Sequence, residues 1–185
     1  VTVRLFQGPG LRSQIKGTDV YAVIVAKEGT PQETEGYMGE ALVLEATSMG
    51  LGTCWLGSGY IPDIVHRNVN LQSSEAVHCV IAIGKCALPA PNAKRKSLDK
   101  LLGVTVDQLP KEGTWQRASV EAARLAPSAV NLQPWKIRVD SSSVSIEAAP
   151  VLIRKYAHID CGICMLHAAV GAAHLGRVPK WKKTD

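Results

Sequence analysis

Ala126-Pro127-Ser128-Ala129-Val130-Asn131-Leu132-Gln133-Pro134-Trp135 is the stretch from which the rest of the chain is read. Pro127 lacks an amide donor and its ring clashes with a preceding helical turn, so a helix over Trp115 to Leu125 must stop here. A strand over Lys136 to Val139 begins only after Pro134 and Trp135. Between these elements lie Ser128, Asn131 and Gln133, whose side chains both donate and accept hydrogen bonds. Short polar groups on a bent segment, held by two prolines and a tryptophan, suit a small-molecule contact loop. They equally suit an ordinary helix-to-strand connection in which the side chains satisfy only backbone. Residue types alone leave both readings open.

Outward from this loop, the clearest strand is Asp19 to Ala26, β-branched and nearly continuous in apolar residues, as expected of a strand covered on both faces. His78 to Gly84 is a second strand of that kind, Val1 to Phe6 a weakly alternating edge strand, and Val144 to Ala148 a strand after a turn at Asp140 to Ser142. Gly36 to Met49 reads as a core helix, with Tyr37, Ala41, Leu42, Leu44, Ala46 and Met49 on a broad apolar surface and Gly50 and Gly52 ending it. Ile159 to Leu175 is a second helix rich in small residues, and Gly176 is its natural stop. Tyr60 to Ser74 is irregular around Pro62 with room for a short helix, 87–93 is a Pro- and Ala-rich extended crossing, and Leu98 to Leu109 is a connector. Strand, small-residue helix, strand is expected twice, which reads as a degenerate duplication divided into residues 1–110 and 111–185.

With 185 residues the chain can build one sizeable domain, or two small halves sharing a core. It has no apolar run of about 18 residues and no visible signal peptide, and a cytoplasmic setting is expected. It opens Val-Thr-Val without methionine, as a processed chain or one lacking its N-terminal segment would. The net charge of +5 gathers in Lys94-Arg95-Lys96 and in Lys180 to Lys183. Neither patch has the aromatic platform or recognition-helix pattern that nucleic acid requires, whereas a phosphate-bearing small molecule needs only one or two such cations. Cys161-Gly-Ile-Cys164 has the spacing of a redox or zinc pair. Asp160 just before it opposes thiolate formation, and no second such pair exists, so packed core cysteines are the expected outcome.

Gly50-Leu51-Gly52-Thr53-Cys54-Trp55-Leu56-Gly57 follows a helix, not a strand, and therefore fails as a dinucleotide-binding loop. Its glycines fit places where the backbone approaches a flat ligand. Both this segment and Ala-Pro-Ser-Ala-x-Asn-x-Gln-Pro-Trp resemble signature segments of the nitroreductase-like FMN flavoproteins, as does the basic run after the Ile83-Gly84 strand end.

The resemblance spans Asp19 to Gly176 and implies an α+β fold, three layers α/β/α, with a mixed sheet and central small-residue helices. It implies FMN beside Pro127, Ser128, Asn131 and Gln133, with the backbone of Gly52, Thr53, Trp55, Leu56 and Gly57 flanking the ring and Lys94, Arg95 and Lys96 at the phosphate. Implied partners are NAD(P)H and a small-molecule acceptor (nitroaromatic, quinone or similar), in a homodimer or in a single chain carrying both halves. Leu56 stands where many members have glutamate, and Leu11-Arg12-Ser13-Gln14 does not match the family's Arg-x-Ser-x-Arg phosphate grip. That grip is either upstream of Val1 or lost. A flavin- or nucleotide-binding module without turnover, or a scaffold without cofactor, are the alternatives.

Overall fold

The computed structural model describes residues 1–86, 93–150 and 155–183. It divides into two compact units, Val1–Asn92 and Ala93–Asp185. The crossing expected over 87–93 lies, apart from Ala93, outside the described residues.

In the first unit, β1 (Thr2–Gln7), β2 (Val20–Lys27), β3 (Gly52–Leu56) and β4 (Glu75–Gly84) form a sheet in the order β1-β2-β4-β3. Helix α1 (Gln32–Ser48) joins β2 to β3, and α2 (Pro62–Val69) precedes β4. The apolar run in β2 is explained by its neighbours. Successive side chains of a strand point to opposite faces, and here both faces are covered. Tyr21, Val23 and Val25 pack with Tyr60 and with Val65 and Val69 of α2. Ala22 and Ile24 pack with Val43 of α1 and with Ile81 and Ile83 of β4. The unit is thus itself three layers, helix on sheet on helix. A Cβ at Gly39 would collide with Ile24 Cδ1 and the Trp55 ring, so α1 lies this close to the sheet only because that residue is glycine.

Helix α1 ends as its sequence dictates. Gly50 takes φ +75°, the Gly50 amide bonds Thr47 O at 3.0 Å, and the Leu51 amide bonds Ala46 O at 2.9 Å. This left-handed cap satisfies carbonyls that the helix end would otherwise orphan. Two acids of α1, Glu35 and Glu40, are each 1% exposed. Burial of charge demands partners. Glu35 meets His78 Nδ1 at 2.9 Å, and Glu40 accepts from Trp55 Nε1 at 2.9 Å.

The second unit holds α3 (Leu98–Leu102), α4 (Trp115–Leu125), the hairpin β5 (Trp135–Val139) and β6 (Val144–Ala148), and α5 (Ala157–His174). Helices α4 and α5 pack against each other, and α3 rests on β5 and α4. Gly171 makes the helix contact possible, since a Cβ there would collide with the Ala118 carbonyl. The α5 end repeats the α1 device: Gly176 at φ +74°, its amide on Ala173 O at 2.9 Å, and Arg177 N on Ala172 O at 3.1 Å. The hairpin turn is wound around Asp140, whose Oδ1 accepts from the amides of Ser142 at 2.7 Å and Ser143 at 2.6 Å. Those bonds and the Ser143 hydroxyl hold its carboxyl down at about 2.

The α+β class holds, with three refinements. Every strand pairing among the described residues is antiparallel, where a mixed sheet was expected. The unit boundary falls at 92/93 rather than 110/111, because α3 packs on β5 and α4 and so joins the second unit. Strand, helix, strand is complete only as β2-α1-β3, since no strand comes after α5 among the described residues.

Candidate functional site

Helix α4 stops at Leu125, and Ala126 takes an extended conformation ahead of Pro127. The chain then makes one 3-10 turn over Ala129–Asn131 before β5. Three residues that are not glycine adopt left-handed backbone here: Val130 at φ 45°, Asn131 at φ 57° and Gln133 at φ 49°. For asparagine this is tolerable, but for a β-branched valine, itself 77% exposed, it is strained. Strain of this kind persists only where surrounding contacts dictate the conformation, and it concentrates at functional loops.

Those contacts come mainly from Lys94-Arg95-Lys96. Asn131 Nδ2 donates to Lys94 O at 2.9 Å, while Asn131 Oδ1 accepts from Arg95 Nη1 at 3.0 Å. Gln133 is 4% exposed, and its Oε1 accepts from Lys96 N at 2.8 Å. Gln133 O accepts from Lys96 Nζ at 2.9 Å. Gln133 Nε2 donates to Asn131 Oδ1 at 3.2 Å, and Ser128 Oγ accepts from Gln133 N at 2.8 Å. Arg95 also closes the end of α4, with Nε at 3.2 Å and Nη2 at 3.0 Å from Leu125 O. A cation at a helix C-terminus gains from the helix dipole as well as from the bonds.

The loop and the basic segment are therefore one knitted structure. Pro127, Ser128, Asn131 and Gln133 lie in it together with Lys94, Arg95 and Lys96. The knitting leaves donor capacity outward. Arg95 has five N–H groups and uses three. The Ser128 hydroxyl accepts a bond and keeps its hydrogen to give. Among the described residues none of the three cations pairs with a carboxylate. Burial, and then the neighbouring Arg124, hold the Arg95 guanidinium below its usual range.

One residue that the sequence reading placed only beside the cysteine pair sits under this loop. Asp160, in the first turn of α5, is 4% exposed, and its Oδ1 accepts from the Ala129 amide at 3.1 Å. Burial pushes its carboxyl up to about 7, against the pull of that amide. An acid within an apolar helix was the available signal, but nothing in sequence spacing pairs residue 160 with residue 129. The neighbouring Cys161 and Cys164 are buried and in no disulfide, as packed core cysteines should be, and burial raises the Cys164 thiol well above its usual range.

The glycine segment lies in the first unit as β3, paired with β4 from Gly52↔Gly84 to Leu56↔Val80. Two of its side chains are engaged within the unit. Trp55 donates to Glu40, and Leu56 is buried. A Cβ at Gly52 would strike the Cys86 thiol. Close approach of the Cys86 side chain is thus one constraint on that position.

Comparison with known proteins fits this geometry. A family model described as "Putative TM nitroreductase" matches residues 7–172. The chain belongs to this family. A solved "putative nitroreductase" of Thermotoga maritima MSB8 is 25% identical to this nitroreductase-family chain, with a TM-score of 0.70. The alignment covers 100% of this chain and 72% of the Thermotoga chain. A nitroreductase family protein of Clostridium difficile 630 aligns with 61% of this chain and 73% of its own at 12% identity; its TM-score of 0.39 is too low to bear on the fold. No protein of curated function matches. No helix among the described residues is long and apolar enough to cross a membrane.

Proposed function

We propose that this chain is an FMN-dependent NAD(P)H oxidoreductase that reduces nitroaromatic, quinone or similar acceptors. The observation carrying this reading is the knot of Lys94, Arg95 and Lys96 onto Asn131 and Gln133, with no carboxylate opposing the cations among the described residues. Bound FMN would supply the two-electron chemistry linking the nicotinamide donor to the acceptor. The chain's own groups suit the cofactor's polar parts. The remaining Arg95 N–H groups and the Lys94 ammonium fit a phosphate dianion. The Ser128 hydroxyl hydrogen and the second Asn131 amide hydrogen fit the polar edge or ribityl oxygens. Because the loop is already strained and tied down, its donors need little reordering when a ligand arrives.

FMN titration followed by flavin fluorescence tests this, with riboflavin as the ligand lacking phosphate. Lys94→Ala, which removes an ammonium while sparing the Lys94 carbonyl that Asn131 binds, should weaken FMN by roughly 10- to 150-fold, the value of a charge-assisted hydrogen bond, and leave riboflavin almost unchanged. Equal weakening of both ligands, or no FMN uptake by the unaltered protein, would refute the assignment.

A flavin-binding module without turnover is the second reading. It is favoured by the burial of Leu56, where many members carry glutamate, and by the commitment of the Trp55 donor to Glu40. NADH consumption in the presence of nitrobenzene separates the two: stoichiometric FMN binding with no consumption selects the module.

A further inference from the structure

A cavity of about 460 Å³ opens between the start of α4, the far half of α5, the β5–β6 turn and the returning segment Arg177 to Trp181. It is not the loop described above. Along α5, Ala172 lies twelve residues beyond Asp160, and at 1.5 Å rise per residue that is about 18 Å. Along α4, Trp115 is likewise about 15 Å from the Leu125 carbonyl that Arg95 closes. The cavity therefore occupies the opposite end of the helix pair.

Its lining has a consistent chemistry. Ala168, Ala169 and Ala172 present one smooth apolar floor, all three being buried residues of α5. Trp115 and Trp181 both line it, and both are partly exposed. Such faces take flat rings well. Arg177 and Lys180 also line it, and neither pairs with a carboxylate among the described residues. The nearby acid of the hairpin turn, Asp140, is already engaged: its oxygens accept from Ser142 and Ser143 amides and hydroxyls. Finally, the Trp181 indole N–H is shut from solvent with no acceptor among the described residues. A buried donor without a partner is a standing cost, so the segment bearing it gains from any rearrangement that brings an acceptor.

The geometry points to a second ligand site here, for a planar aromatic anion of one or two rings. The ring lies on the alanine floor beside Trp115 and Trp181, and the anionic group pairs with Arg177 and Lys180. The volume lies within the ordinary range for small-molecule sites. The site is independent of the flavin assignment and requires no redox step.

The test uses 2-naphthoate as the anionic probe and 2-naphthalenemethanol as its neutral counterpart, titrated calorimetrically into the full chain, with amide shifts recorded in parallel. The expected result is one-to-one naphthoate binding that shifts the amides of Ala168, Ala169 and Ala172. Arg177→Ala combined with Lys180→Ala should weaken naphthoate about tenfold or more and leave the alcohol nearly unchanged. Trp181→Ala should weaken both probes. These three residues are on the chain's exposed or partly exposed return, so the helix pair does not depend on them for folding. Absence of naphthoate binding at millimolar concentration would overturn the proposal. So would equal affinity for the alcohol, or shifts confined to residues 126–135. Saturating FMN distinguishes the two sites: naphthoate displaced by FMN belongs to the loop, whereas naphthoate binding in protein that takes up no FMN supports this site even if the flavin reading fails.

Discussion

Replacement of Asp160 by asparagine should change how stability depends on pH. The carboxyl is 4% exposed, and burial moves it from an ordinary 3.8 to about 7. Above pH 4 the unfolded chain releases this proton while the native protein keeps it. The native state then binds more protons, so stability falls as pH rises from about 4 to about 7 and levels off beyond. At about 1.4 kcal/mol per pH unit, the full displacement sets a ceiling near 4 kcal/mol. Relaxation around an ionised carboxylate and the Ala129 amide bond reduce this, and about 1–3 kcal/mol is expected. Asparagine keeps the Oδ1 acceptor for Ala129 and cannot ionise. Between pH 5 and pH 8 only about two of those pH units are crossed, so relative to the natural protein Asp160→Asn should gain about 1–2 kcal/mol at pH 8 over pH 5. Urea unfolding at the two pH values measures it. Tryptophan fluorescence is a suitable probe, since Trp115, Trp135 and Trp181 all belong to the second unit. An identical difference between the proteins at both pH values would refute the reasoning. A gain for the natural protein at the higher pH would show that the Ala129 amide outweighs burial.

Gln133→Ala removes the acceptor for Lys96 N and the donor for Asn131 Oδ1, and should cost about 2–3 kcal/mol in urea unfolding. Gln133→Glu keeps the shape but sets an anion where Nε2 now donates, and should loosen Asn131, read as faster amide exchange over 129–133. Val130→Gly should relieve left-handed strain and leave stability within about 1 kcal/mol, while weakening FMN because the loop is less fixed. Gly171→Ala should destabilise the second unit by about 1–3 kcal/mol despite alanine's better helix propensity, because the new Cβ meets the Ala118 carbonyl and lies 2.8 Å from Ala122 Cβ. A higher melting temperature for that variant would show that α4 and α5 can separate freely.

Much of this architecture was readable in advance because its causes are local. Pro127 stopped α4 at Leu125, and the glycines at 50 and 176 cap their helices in left-handed geometry. The apolar run of β2 announced a strand covered twice, and α1 and α2 cover it. The motif residues Ser128, Asn131 and Gln133 and the run Lys94 to Lys96 were also visible as residue types.

What the chain order alone could not supply was which groups meet. That Gln133 is the buried hub of the loop rather than one of several outward donors depends on contacts across more than thirty positions. Asp160 acquires its raised carboxyl only because folding buries it below Ala129. Gly52 read as a place of close approach, and that the Cys86 thiol is what approaches it comes only from the fold. Helix stops, caps and apolar periods are short-range and survive in any context, so sequence determines them. Burial, charge pairing and close backbone approach arise only when distant segments share space, and the tertiary structure decides them.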